Sequence, residues 1–137
     1  MTNLNRKALV VAALAVAAFG TVAVAAGATR TIKVPSKVSI ESKGLHFKGE
    51  VNTAAIYEPC EQQRKVVLFK VIGGGPDQAV GHDTTNNHGK WSITPQGSAG
   101  ITLAHFYARV KKLSQGTAGT IYVCQAAKSK VIGVTNP

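Results

Sequence analysis

The chain has 137 residues, with 16 Lys or Arg against 6 Asp or Glu and a formal net charge of +10 at pH 7. That length holds one ordinary domain core rather than two. Its two cysteines, its lack of a cofactor motif and the scatter of its catalytic residue types exclude a readable enzyme signature, and describe a small, basic β domain.

Residues 1–7 are short, polar and basic, and residues 8–24 form an uncharged, Ala-rich run. Ala23-Val24-Ala25 and Ala26-Gly27-Ala28 then offer small residues at alternate positions. This layout predicts a secretory signal peptide over residues 1–28, with a helical apolar core and cleavage near Ala26 or Thr29. An uncleaved anchor stays open as the alternative, because Arg30 and Lys33 follow closely. No cysteine lies near the cleavage positions to accept a lipid, and Arg6-Lys7 is not a twin arginine. Residues 29–36 read as a tether and residues 37–137 as the folded domain. The expected location is the cell envelope or the extracellular space.

Cys60 and Cys124 both fall in the mature part, and in an exported chain an even pair predicts one disulfide. Two separate buried thiols are the alternative. Neither cysteine has a Cys-x-x-Cys or Cys-x-x-His neighbour, so no zinc site is expected.

Along the mature part, short alternating runs punctuated by Gly, Pro and Asn predict an all-β fold. The first strand is expected at 37–42, followed by a Lys43-Gly44 turn. At 45–51, Leu45, Phe47, Gly49 and Val51 alternate with His46, Lys48 and Glu50. Residues 64–72 are apolar on both phases, which requires a central strand or a covered second face for Val67, Phe69 and Val71. Gly73-Gly74-Gly75-Pro76-Asp77 is a turn, and a weak strand follows at 79–85. Asn86-Asn87-His88-Gly89 reads as a hairpin turn into 90–94, with Trp91 and Ile93 on one face. Strands are expected again at 101–111, 120–126 and 130–134, with a turn at 115–119. Phe47, Val66, Leu68, Trp91, Ile93, Phe106, Ala108 and Val110 are the expected shared core. Seven or eight strands at this spacing describe an antiparallel sandwich.

Phe47-Lys48-Gly49-Glu50-Val51, Cys60, Arg64-Lys65-Val66-Val67-Leu68, Val80-Gly81 with Thr84-Thr85, Gly89-Lys90-Trp91-Ser92-Ile93, Tyr107-Ala108-Arg109-Val110 and Cys124 with Ala126-Ala127-Lys128-Ser129 follow in that order. This order resembles the small secreted β-sandwiches of actinobacterial type, related in pattern to carboxypeptidase regulatory-like and transthyretin-like domains. The resemblance covers about residues 45 to 131. It implies a seven-stranded prealbumin-like or immunoglobulin-like sandwich without catalytic residues, acting alone or with a separate partner.

The motifs of known chemistry fail on inspection. Gly97-Ser98-Ala99-Gly100 lacks the residue a nucleophile elbow needs between its first Gly and Ser. Gly89-Lys90 is followed by Trp91 rather than Ser or Thr, so no Walker loop exists. His46, His82, His88 and His105 have no metal-ligand spacing, and Asp77 and Asp83 are too isolated for a calcium loop. Glu58 and Glu61 flank Cys60 and read as a charged loop beside the disulfide. Neither a catalytic residue, a cofactor nor a metal is therefore expected. A small secreted hydrolase assembled from distant Ser129, His105 and Asp83 is the rival reading.

Charge is more informative. All six acids lie at or before Asp83, so residues 84–137 carry six cations and no acid. Arg109 and Lys111 share one strand phase and Lys112 follows, which makes these three the candidate anion-binding residues. Two readings stay open: attraction to an anionic cell-wall polymer, or cationic solvation of an exported domain. A second envelope protein is the other expected partner. One aromatic, Tyr107, beside one cation does not make a stacking platform for nucleic acid, and the leader, if uncleaved, is the only expected membrane contact. The sequence thus describes an exported, non-catalytic structural or binding module.

Overall fold

Alternating apolar residues between Gly- and Asn-containing turns produce strands throughout the computed structural model, which describes residues 27–54, 56–96 and 103–134. The expected signal peptide, up to residue 26, and the sequence Gly97-Ser98-Ala99-Gly100 lie outside the described residues. In chain order the strands are β1 Arg30–Val34, β2 Lys37–Val38, β3 Glu41–Lys43, β4 His46–Asn52, β5 Lys65–Lys70, β6 Gln78–Thr84, β7 Lys90–Ile93, β8 Ala104–Val110, β9 Leu113–Thr117, β10 Thr120–Cys124, β11 Ala127–Lys128 and β12 Ile132–Val134. The only other regular element among the described residues is a 3₁₀ turn at Glu58–Glu61.

The protein is all-β, and its described residues form three sheets. In one, the order is β11-β8-β5-β6, and β12 also pairs with β8. In the second, β7 pairs with one edge of β4, while β2 and β3 follow one another along the other edge. The third has the order β1-β10-β9. All ladders with a resolved register are antiparallel.

The inward phases of the first two sheets share a single apolar cluster. Phe47 and Val51 of β4, Trp91 and Ile93 of β7, Val66 and Leu68 of β5, and Phe106, Ala108 and Val110 of β8 all belong to it. Phe47 and Phe106 meet with ring centroids 4.7 Å apart. The eight residues expected to share a core therefore do so, because a period of two sends alternate side chains to one side of each strand.

Several boundaries differ from the sequence reading. Arg30–Val34, read as part of a tether, is a strand. Ile32 and Val34 supply an apolar phase too short to stand out, and Val34 is buried against the Cys60–Cys124 disulfide. The expected strand at 37–42 is split into β2 and β3, because the Ser39 hydroxyl accepts the Glu50 N–H at 2.8 Å in place of a backbone carbonyl. The turn expected at 115–119 tightens to Ala118-Gly119, with Gly119 at φ +83°, and β9 takes the preceding residues.

The turn at 86–89 forms as expected, with the Asn86 carboxamide oxygen accepting the N–H groups of His88 and Lys90. It does not join two paired strands, however: β6 pairs with β5 and β7 with β4, so the turn carries the chain from one sheet to the other. At that crossing, Asp83 Oδ2 accepts the Ser92 N–H at 2.8 Å, so a carboxylate replaces a ladder partner.

Cys60 and Cys124 form the expected disulfide, with a Cα–Cα distance of 5.3 Å. It joins the 3₁₀ turn to the end of β10 within a second apolar cluster. There Tyr57 and Tyr122 stack with centroids 3.7 Å apart and planes 3° from parallel.

Candidate anion-binding face

The outward phase of β5 carries Lys65, Val67 and Phe69, and the outward phase of β8 carries His105, Tyr107 and Arg109. Register sets Val67 beside Arg109 and Phe69 beside Tyr107. On the far edge of β8, Lys128 stands directly opposite Arg109. The apolar second phase of β5 is thus covered by side chains rather than by another strand. Phe69 stacks on Tyr107 with centroids 5.3 Å apart, the Arg109 guanidinium lies 5.8 Å over Phe69, and Lys128 Nζ lies 3.9 Å over the Tyr107 ring. Tyr107 is only 4% exposed, although it faces away from the core.

Two like charges directly across a ladder repel one another. Here the ring faces offset that repulsion, since each cation sits over a separate aromatic quadrupole. The one acid nearby is already engaged: Asp77 Oδ2 accepts the Tyr107 hydroxyl at 2.8 Å and Oδ1 accepts the Ile72 N–H at 3.2 Å. These bonds, that from Tyr107 foremost, hold the Asp77 carboxyl below the usual carboxylate range. Burial first, and Asp77 second, push the Tyr107 hydroxyl above its ordinary value.

Lys111 follows Arg109 on the same phase, and its N–H donates to the Lys65 carbonyl at 3.0 Å, which sets Lys65 and Lys111 side by side. The ion pairs among the described residues, Lys48 with Glu41 and Lys90 with Glu50, use none of these cations. Of the three candidate residues, Arg109 and Lys111 therefore share one face. Lys112 does not join them; it lines a depression with Lys33 instead. Lys65 and Lys128, absent from the candidate set, complete the face, because strand order sets Lys128 beside Arg109 on one edge of β8 and Lys65 beside Lys111 on the other.

The rival constellation of Ser129, His105 and Asp83 is not assembled. The Ser129 hydroxyl accepts the Ala108 N–H and donates to the Lys130 carbonyl, so it is part of the β8 edge. Asp83 is held by the N–H groups of Thr84 and Ser92. The order β11-β8-β5-β6 puts two strands between them, a gap of about 14 Å at the usual strand spacing.

A different Ser–His contact exists that the sequence did not suggest, on the outer phase of β4 and β7. Ser92 Oγ lies 3.2 Å from His46 Nε2, whose Nδ1 lies 2.8 Å from Thr94 Oγ1. The third member is a hydroxyl rather than a carboxylate, and the Ser92 N–H already binds Asp83, placing negative charge where an oxyanion would need a donor.

Arg64 is the other residue that sequence reasoning passed over. It is fully buried, and its guanidinium donates to Ser36 Oγ at 3.1 Å and to the carbonyls of Cys60, Lys111 at 2.8 Å and Gln125 at 2.9 Å. Burial lowers its pKa from the ordinary arginine value. The preceding residue, Gln63, takes a left-handed φ of +51° just before β5.

Among the described residues no helix is long and apolar enough to cross a membrane. Set against known protein families and characterised proteins, the sequence matches none.

Proposed function

We propose that the protein is an exported, non-catalytic binding module of the cell envelope or extracellular space, and that the outer face of β5, β8 and β11 holds an anionic polymer. In this reading its paired sheets are a β-sandwich of the prealbumin-like or immunoglobulin-like kind, in keeping with the resemblance to carboxypeptidase regulatory-like and transthyretin-like domains. The disulfide fits an oxidising compartment.

One observation carries the functional part: Lys65, Arg109, Lys111 and Lys128 share one outward face, with Arg109 and Lys128 over the Phe69–Tyr107 stack and Asp77 as the acid beside them, hydrogen-bonded to Tyr107. Neighbouring strands set these cations about 5 Å apart and alternate residues about 7 Å apart. Scattered cations serve solubility, whereas clustered cations release the counterions of a polyanion together.

Retention on heparin and on teichoic-acid-bearing cell walls across a salt gradient tests this reading. The variant Arg109→Gln/Lys111→Gln/Lys128→Gln should elute at clearly lower salt than the wild type, with a shallower dependence of binding on salt. Elution of both at the same salt would return the charge to a solvating role.

A further inference from the structure

Arg64 presents a problem of charge. A guanidinium removed from water normally has a carboxylate partner, because desolvating an isolated charge costs several kcal/mol. Arg64 makes no ion pair among the described residues, and its Nε has no acceptor. Its charge is met by neutral oxygens, two of which belong to Lys111 and Gln125.

Those two carbonyls point the way outward. In a trans peptide the next N–H points opposite to the C=O. Since the Lys111 and Gln125 carbonyls aim at Arg64, the N–H groups of Lys112 and Ala126 aim away from it. Neither N–H has an acceptor among the described residues. Both residues line one depression of about 430 Å³, together with Lys33, Val123 and Gln125. Two peptide units polarised by the buried guanidinium thus back onto a depression flanked by two ammonium groups and no acid.

We propose that this depression is an oxyanion site that takes a phosphate group, with Lys112 and Ala126 N–H as donors, Lys33 and Lys112 side chains as surface cations, and Arg64 as the charge behind the wall. Backbone N–H groups in a concavity with nearby cations are the general recipe for binding phosphate. The site is separate from the β5–β8–β11 face and does not depend on it. An anion here supplies the counter-charge that Arg64 lacks inside the fold.

The test is a titration of isotope-labelled mature protein with inorganic phosphate, for the free ion, and with dimethyl phosphate, for a diester within a chain, each against chloride at matched ionic strength. The Lys112 and Ala126 amide resonances should move and saturate with at least one of the two, and Tm should rise by several degrees. A response to only one probe identifies whether the group is free or esterified. In Lys33→Gln/Lys112→Gln the saturating shifts and the Tm rise should be lost, while Tm in chloride should not fall. Arg109→Gln/Lys128→Gln should keep both responses, which separates this site from the polymer-binding face. Neither probe moving these amides beyond chloride, or responses persisting in Lys33→Gln/Lys112→Gln, would overturn the site.

Discussion

Gly49 faces Trp91 directly across the β4–β7 ladder, and the indole occupies the space a side chain at position 49 would need. A Cβ there would overlap the Ser39 carbonyl oxygen and stand 2.8 Å from Trp91 Cζ2. Backbone on one side and a buried ring on the other leave no rotamer to relieve the clash. Gly49→Ala should destabilise the domain by on the order of 3 kcal/mol in urea denaturation. Gly116→Ala is the control, since its nearest neighbours lie at 3.5 and 3.6 Å, and it should change stability by less than about 1 kcal/mol.

Arg64 joins four segments through one planar group: the link after β1, the 3₁₀ turn, the end of β8 and the link after β10. Arg64→Lys keeps the charge but replaces a five-donor fork with a single ammonium, which cannot span the Ser36 hydroxyl and three carbonyls. The orphaned carbonyls should cost on the order of 3 kcal/mol or more. Calorimetry of Arg64→Lys beside the neighbouring exposed change Lys65→Gln measures this, and equal Tm for the two would show that the fork is dispensable.

The Cys60–Cys124 bond closes a loop spanning 64 residues. Cys60→Ser/Cys124→Ser should lose roughly 4 kcal/mol by the chain-entropy relation. The stacked Tyr57–Tyr122 pair packs against the disulfide cluster, so near-ultraviolet circular dichroism should lose tyrosine signal in step with that loss. Free thiols in the unreduced protein would contradict the bond itself.

The Tyr107–Asp77 hydrogen bond ties the glycine-rich turn after β5 onto β8. Asp77 is held below its ordinary value, so its contribution is present above a pH of about 4 and fades as pH falls through its lowered pKa. Tyr107 is held above its ordinary value, so its contribution is complete below a pH of about 10 and fades as pH rises through its raised pKa. The Tm of the wild type should therefore exceed that of Tyr107→Phe across the neutral range. The difference should shrink at both the acid and the alkaline end of a pH series, and a constant difference would place the effect elsewhere.

Strand phase was written in the sequence. Phe47, Val66, Leu68, Trp91, Ile93, Phe106, Ala108 and Val110 enter the core because alternation is a local property of an extended chain, whatever its neighbours. The parity of the cysteines likewise pointed to Cys60–Cys124. Strand neighbours were not legible, and the candidate face depended on them. Lys112 left the expected cluster and Lys128 entered it only once β11 was laid along β8. The pairing of β5 with β8 explains the apolar second phase of β5, where Phe69 meets Tyr107 and Arg109 rather than another strand. Nothing in the sequence marked Arg64, the first residue of an expected strand, as buried, because burial of a charge is decided by which oxygens surround it. Those of Ser36, Cys60, Lys111 and Gln125 come from chain positions up to 61 residues away. Side-chain phase follows from the backbone's own period, but the meeting of distant groups is set by sheet order, which only the packing of the whole chain determines.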